Sequence, residues 1–134
     1  MDWKLEVVVV PVSDVDQAKR FYSEQVGFNV DTDMRLGDTF RVVQLTPPGS
    51  GCSITIGTGL GDMVPGSLKG LQLVVFDIEA ARAELVERGV QVSPVQHFDD
   101  GVRADGPGGD WNSFIFFEDP DGNAWAVQQK PAPA

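Results

Sequence analysis

Stretches of unbroken apolar residues alternate along the chain with stretches whose apolar positions recur every three or four residues. Residues 5–12 are rich in β-branched side chains and end at Pro11-Val12-Ser13-Asp14, a pattern that predicts a strand buried on both faces. Ser13 or Asp14 then caps a predicted helix over residues 15–25, with Val15, Ala18, Phe21 and Tyr22 as its apolar stripe and Gly27 as its stop. Strands follow over residues 28–30, 38–45 and 52–57, the last two separated by the turn Pro47-Pro48-Gly49-Ser50-Gly51.

The same order then recurs. Residues 70–75 predict a strand, and Asp77 caps a helix reaching residue 88, with Ile78, Ala81, Leu85 and Val86 facing inward. Gly89 stops it and a strand restarts over 90–95. A loop of Gly, Asp and Pro spans 99–110, and strands occupy 113–117 and 123–128 around the tight turn Asp119-Pro120-Asp121-Gly122. Laying one half on the other matches Val12 with Val75, Asp14 with Asp77, Asp16 with Glu79, Ala18 with Ala81 and, after a one-residue slip, Gly27 with Gly89. The expected fold is therefore α+β: two tandem βαβββ modules forming a curved eight-stranded mixed sheet around a cleft. The whole chain, 1–134, reads as a single domain, with module one at about 4–60 and module two at about 68–129. The tail from Lys130 to Ala134 is expected to fray.

A net charge of -10 sets the surface against phosphate backbones and anionic lipid, so neither nucleic acid nor membrane is an expected partner. The single cysteine, Cys52, excludes an internal disulfide and reads as a buried structural thiol. With no leader-like or membrane-spanning run, the expected location is cytoplasmic.

Three segments carry a resemblance. They are residues 10–22, Val-Pro-Val-Ser-Asp-Val-Asp-Gln-Ala-Lys-Arg-Phe-Tyr, with Val26-Gly27-Phe28; residues 76–81, Phe-Asp-Ile-Glu-Ala-Ala, with Arg88-Gly89-Val90; and residues 117–123, Phe-Glu-Asp-Pro-Asp-Gly-Asn. In combination and spacing the chain resembles the vicinal-oxygen-chelate superfamily of glyoxalases, bleomycin-resistance proteins and dioxygenases. The resemblance implies paired βαβββ modules, a site in the concave sheet and a homodimer. It does not choose a function, because members include lyases, isomerases, dioxygenases and proteins that only sequester drugs.

Metal-using members of that family place four donor side chains around one divalent ion. Carried over by register, those positions fall here on Val7, Thr55, Gly70 and Ala126, of which three have no donor and one a neutral hydroxyl. The expectation is no metal and no cofactor. Following the two-residue period of a strand, Val7, Val9 and Pro11 share a side, as do Ser53 with Thr55, Gly70 with Gln72 and Val74, and Ala124 with Ala126 and Gln128. The predicted ligand-binding set is Val7, Val9, Ser53, Thr55, Gly70, Gln72, Trp111, Ala126 and Gln128: apolar walls with a few neutral anchors. The same residues could instead fill the sheet as ordinary core, though Gly70 and Ala126 would leave room rather than occupy it.

Trp111 closes the 99–110 loop, either as a stacking lid or as an anchor, and both readings stand. His97, the lone histidine, reads as a solvated side chain rather than a base, Arg41 as a solvent-facing charge in preference to a pocket cation, and Trp125 as packing under a helix. Three functions remain open. One is a metal-free protein that sequesters a small organic molecule, aromatic or cationic. The second is a metal-dependent lyase, isomerase or dioxygenase, and the third a metal-free enzyme using Gln72, His97, Glu6 or a loop aspartate. The first is preferred, since it alone needs nothing the sequence lacks.

Overall fold

The structure is a computed structural model that describes residues 1–133. The chain divides into two compact units: Met1–Leu68 together with Asp119–Asn123, and Lys69–Glu118 together with Ala124–Ala134. Among the described residues no helix is long and apolar enough to cross a membrane.

In the first unit, β1 (Val7–Val9) leads into α1 (Val15–Arg20), and β2 (Asn29–Leu36), β3 (Phe40–Thr46) and β4 (Ser53–Thr58) follow. The sheet order is β1-β4-β3-β2, with β1 parallel to β4 and the remaining pairs antiparallel. The Asp14 carboxylate caps α1 by accepting from the Gln17 amide at 3.0 Å. Past Arg20 the helix widens by one residue, so the Val26 amide reaches the Phe21 carbonyl at 2.9 Å. Gly27 ends it at a left-handed φ of 93°. The core gathers Val10, Ala18, Phe21, Tyr22 and Phe28 over Val43, Leu45, Ile54 and Ile56, all buried. β1 departs from the expected fully buried strand: it spans three residues, and Val7 is 38% exposed. One face of β1 is open because nothing in this unit covers it.

The second unit repeats the plan and adds to it. It runs β5 (Leu71–Val75), α2 (Ile78–Glu87), β6 (Gln96–Asp99), β7 (Val102–Asp105), β8 (Phe114–Glu118) and β9 (Ala124–Gln129), in sheet order β5-β9-β8-β6-β7. Asp77 caps α2 through the Ala80 amide at 3.0 Å, and Gly89 stops the chain at φ 84°. Ile78 and Leu85 are buried as expected, whereas Val86 is half-exposed, because α2 turns only a narrow stripe to the sheet. The register of the two halves agrees. The residue five before each cap pairs equivalently, Val9 with Thr55 and Gln72 with Ala126.

Two expectations change here. The strand placed at 90–95 is only a bridge from Val92 to Phe117, and the supposed 99–110 loop contains half a hairpin. β6 and β7 pair around Asp100 (φ 52°) and Gly101 (φ 79°), the left-handed pair of a two-residue hairpin turn. Among the described residues this gives nine strands rather than eight, β7 being the addition. Lys130 is not frayed: its amide donates to the Val75 carbonyl at 2.8 Å, and its ammonium lies 4.3 Å from the Phe76 ring centre. Ala134, also expected to fray, lies outside the described residues.

Asp119–Asn123 is more than the tight turn expected of it. Asp119, 5% exposed, accepts from the Tyr22 hydroxyl (2.7 Å), the Asn123 side-chain amide (2.7 Å) and the backbone amides of Asp121 and Asn123 (3.0 and 2.9 Å). Asn123, fully buried, also donates to the Pro11 carbonyl at 2.8 Å and accepts from the Leu68 amide at 3.0 Å. Asp121 accepts from the Ser13 hydroxyl and amide at 2.6 and 3.1 Å. Gly66 lies so close that a Cβ there would stand 2.0 Å from the Asp121 carbonyl oxygen. Removing one hub of such a network strands its buried partners, which costs about 1–3 kcal/mol for each. Asp119→Ala is therefore expected to lose about 3 kcal/mol in urea unfolding and Tyr22→Phe about 1. An Asp119→Ala midpoint equal to that of the unaltered protein would contradict this account.

Candidate functional site

The face of the second sheet away from α2 is where most chemistry-bearing side chains collect. Register puts Gln72, Ala126 and Phe116 in one row and Val74, Gln128, Phe114 and Gln96 in the next, with Phe98 opposite Arg103 beyond them. Side chains paired across strands share a face. The alternate positions Ile115, Phe117, Trp125 and Val127 are buried on the other side, as expected for Trp125. The two faces differ in use: Phe98 is 40% and Val74 49% exposed, and Phe114 and Phe116 are half-buried.

These three phenylalanines form a cluster. The Phe114 and Phe116 rings are nearly parallel with centres 6.0 Å apart, and Phe98 stands edge-on to both at 5.4 and 6.3 Å. The Arg103 guanidinium carbon lies 3.5 Å from the centre of the Phe116 ring. The neutral polar groups are already oriented. Gln72 donates to the Gln128 side-chain carbonyl at 2.8 Å, and Gln128 donates to the Trp111 backbone carbonyl at 2.8 Å. The anchor of the preceding loop is not Trp111. Asn112 holds both the amide and the carbonyl of Phe98 at 2.9 Å, and buried Ser113 accepts from the Gly108 amide at 3.0 Å. Trp111 itself is 53% exposed and has φ 61°, a conformation rare for a bulky residue.

Of the expected ligand set, Gln72, Ala126 and Gln128 thus share one face of the second sheet, with Trp111 joined to it through its backbone. Gly70 does not lie in a strand. It precedes β5 with φ 88° in open space, and that turn explains its lack of a side chain as well as any need for room. Val7, Val9, Ser53 and Thr55 belong to the first unit, where Val7 pairs with Ser53 and Val9 with Thr55. There Ser53 shares a 2.6 Å hydrogen bond with Thr46, which also bonds Asp31, and Gln44 donates to Ser53 at 3.4 Å. The first unit also carries a cleft of about 350 Å³ bounded by Val10, Pro11, Gly59, Leu60, Met63 and Pro65. Val9 lines it, but Val7, Ser53 and Thr55 do not. Sequence reasoning missed this cleft because an irregular connection builds it.

Of the four positions that the resemblance assigns to metal ligands, Val7, Gly70 and Ala126 have side chains with no donor atom, and Thr55 offers a neutral hydroxyl. Among the described residues no group of three or more His, Cys, Asp or Glu side chains is gathered for a metal. His97 is half-buried rather than solvated, and its Nδ1–H donates to the Gly106 carbonyl at 2.8 Å. Cys52 is likewise half-buried, not enclosed.

Arg41 is the clearest correction. It is 8% exposed, not solvent-facing. It donates to Asp16 at 2.7 Å and to both oxygens of Asp33 at 3.0 and 2.8 Å, and Lys19 adds a bond to Asp33 at 2.8 Å. The hydrogen bonds from Arg41, and then from Lys19, hold the Asp33 carboxyl far below the usual carboxylate range. Its bonds to Asp33, and then to Asp16, raise Arg41, and Arg41 in turn lowers Asp16.

Residues 4–127 match the family described as the Glyoxalase/Bleomycin resistance protein/Dioxygenase superfamily. Among solved structures, the chain is 37% identical to TnmS3, an antibiotic binding protein from Streptomyces sp. CB03234, with a TM-score of 0.76 over 98% of each chain. A glyoxalase/bleomycin resistance protein from the same organism is 38% identical, with a TM-score of 0.73 over 94% of this chain and 100% of that one. The uncharacterized protein YetH of Bacillus subtilis (strain 168) is 26% identical over 131 residues, 94% of this chain and 98% of its own.

Because the folded pKa of Asp33 is depressed, the stability it contributes is present above the ordinary carboxylate pKa and is lost as pH falls toward the folded value. The urea midpoint is expected to fall from about pH 4 downward. Arg41→Met should start lower at pH 7 and fall less steeply; parallel pH profiles for the two proteins would refute the assignment.

Proposed function

We propose that this chain, which belongs to the Glyoxalase/Bleomycin resistance protein/Dioxygenase superfamily, binds and sequesters a small aromatic molecule on the open face of its second sheet without using a metal. One observation carries the reading: Phe98, Phe114 and Phe116 pack together on the sheet face opposite the core, where they remain partly exposed. A cluster of aromatic rings left outside the core signals a partner. Covering about 250 Å² of such surface contributes about 6 kcal/mol, enough to outweigh part of the entropy of association and leave a useful affinity. Gln72 and Gln128, already hydrogen-bonded, would orient polar edges of the ligand without the cost of ordering loose side chains. Likeness to an antibiotic binding protein over nearly the whole chain supports small-molecule binding. The side chains at Val7, Gly70 and Ala126 support the metal-free part. We include in this reading the homodimer that the resemblance implies.

Two measurements test it. Titration of the protein with planar aromatic probes is expected to give saturable binding that Phe114→Ala with Phe116→Ala weakens at least tenfold, about 1.4 kcal/mol. Circular dichroism would check that the variant stays folded, and equal affinity in a folded variant would sink the site. Incubation with zinc, nickel, manganese or iron(II), followed by desalting, is expected to leave well under one ion per chain. Retention near one ion would bring the metal-dependent lyase or dioxygenase reading forward.

A further inference from the structure

We infer that Arg103 sets the chemical class of the ligand, selecting planar aromatic molecules that carry an anionic oxygen, a carboxylate or a phenolate, at their edge. This rests on the binding face proposed above and narrows what that face accepts.

Arg103 lies on β7, the strand that the first unit lacks, and is carried there by the Asp100-Gly101 turn. Its register partner is Phe98, so its side chain is on the face of the phenylalanine cluster. The guanidinium carbon sits 3.5 Å from the centre of the Phe116 ring, a separation that admits nothing between them. One hydrogen bond fixes the group: Nε donates to the Gln96 side-chain carbonyl at 3.1 Å, and the Gln96 amide donates onward to Asp105 at 3.0 Å. That bond uses Nε, and among the described residues neither Nη group has an acceptor.

The contrast with Arg41 is instructive. Arg41 is bonded to two carboxylates through Nε and both Nη groups, so its charge is already matched within the protein. Arg103 is held flat by a neutral amide and a ring, so it is positioned but not neutralised. A planar ligand that extends the aromatic cluster would bring its rim to those Nη donors. An anionic oxygen there would accept charge-assisted bonds, which are about twice as strong as neutral ones. A cationic ligand meets the opposite situation, because the ring face that would attract it is already covered by a cation.

The acidic groups near this face must be weighed. Asp105 and Glu118 share it, and Asp99 and Asp100 stand at the hairpin end. Each is exposed, and repulsion between exposed charges in water is worth roughly 1 kcal/mol or less. Direct paired bonds to a guanidinium exceed that. The anionic ligand therefore wins at contact, although the net charge of -10 slows its approach.

The test compares three probes of one shape by calorimetry in 0.15 M salt: 2-naphthoate, 2-naphthalenemethanol and 2-naphthylmethylamine. With the unaltered protein, naphthoate is expected to bind at least tenfold more tightly than either of the others. Arg103→Met keeps the hydrocarbon against Phe116 but removes the donors. It should weaken naphthoate at least tenfold and leave the alcohol within about threefold, while Arg103→Lys recovers part of the loss. Equal affinities for the three probes, or naphthoate binding unchanged in a folded Arg103→Met protein, would overturn the inference and leave the binding face standing. If none of the three binds at millimolar concentration, both fail together.

Discussion

A buried carboxylate accepting four hydrogen bonds is the constraint on which the first unit rests. Asp119 is almost fully removed from water, and that is tolerable only because the Tyr22 hydroxyl, the Asn123 amide and two backbone amides surround it. The arrangement dictates the neighbourhood in turn. Tyr22 must come off the end of α1 at the angle its widened last turn allows, and Gly66 must have no side chain. Asn123 must face inward to reach Pro11 and Leu68. A segment flanked by β8 and β9 thereby becomes part of the first unit's interior, and the chain is committed to a topology that local propensity alone would not select.

Strand register does for the candidate site what that carboxylate does for the core. Once Gln72 stands opposite Ala126, the two-residue period sends Trp125 and Val127 inward and leaves Phe114 and Phe116 outward. No separate device is needed to expose the aromatic rings. The ion cluster around Arg41, in which Arg41 is buried and Asp16 exposed, belongs to a different task. It joins α1 to β2 and β3, using charge where hydrocarbon would have served.

Much of this was legible from the residues. Both helix caps, both glycine stops and the repeat that relates the halves follow from local chemistry: a carboxylate beside free amides, a residue that tolerates positive φ. Gln72, Ala126 and Gln128 fell on one face because period two survives any error in strand ends. The strand holding Phe114 and Phe116 follows from the sequence, but their exposure does not, since a run of apolar residues does not say which face is covered. Asp100-Gly101 between alternating residues is itself a hairpin signal, and reading 99–110 as loop hid both β7 and Arg103. The burial of Arg41 is hidden from the sequence for a different reason: its two acids lie 25 and 8 residues away, and no spacing rule connects them.

The outermost hairpin has a consequence for how such a protein can change. Among the described residues β7 pairs only with β6, and β6 meets β8 through the single pair Gln96 and Phe114. None of the buried apolar side chains comes from either strand. The hairpin is therefore a peripheral cassette: its tip can be lengthened, trimmed or recharged at little cost to folding, while its inner side borders the phenylalanine cluster. A scaffold of this kind can acquire a new chemical preference by rewriting about ten residues at its rim, with the interior left as it was.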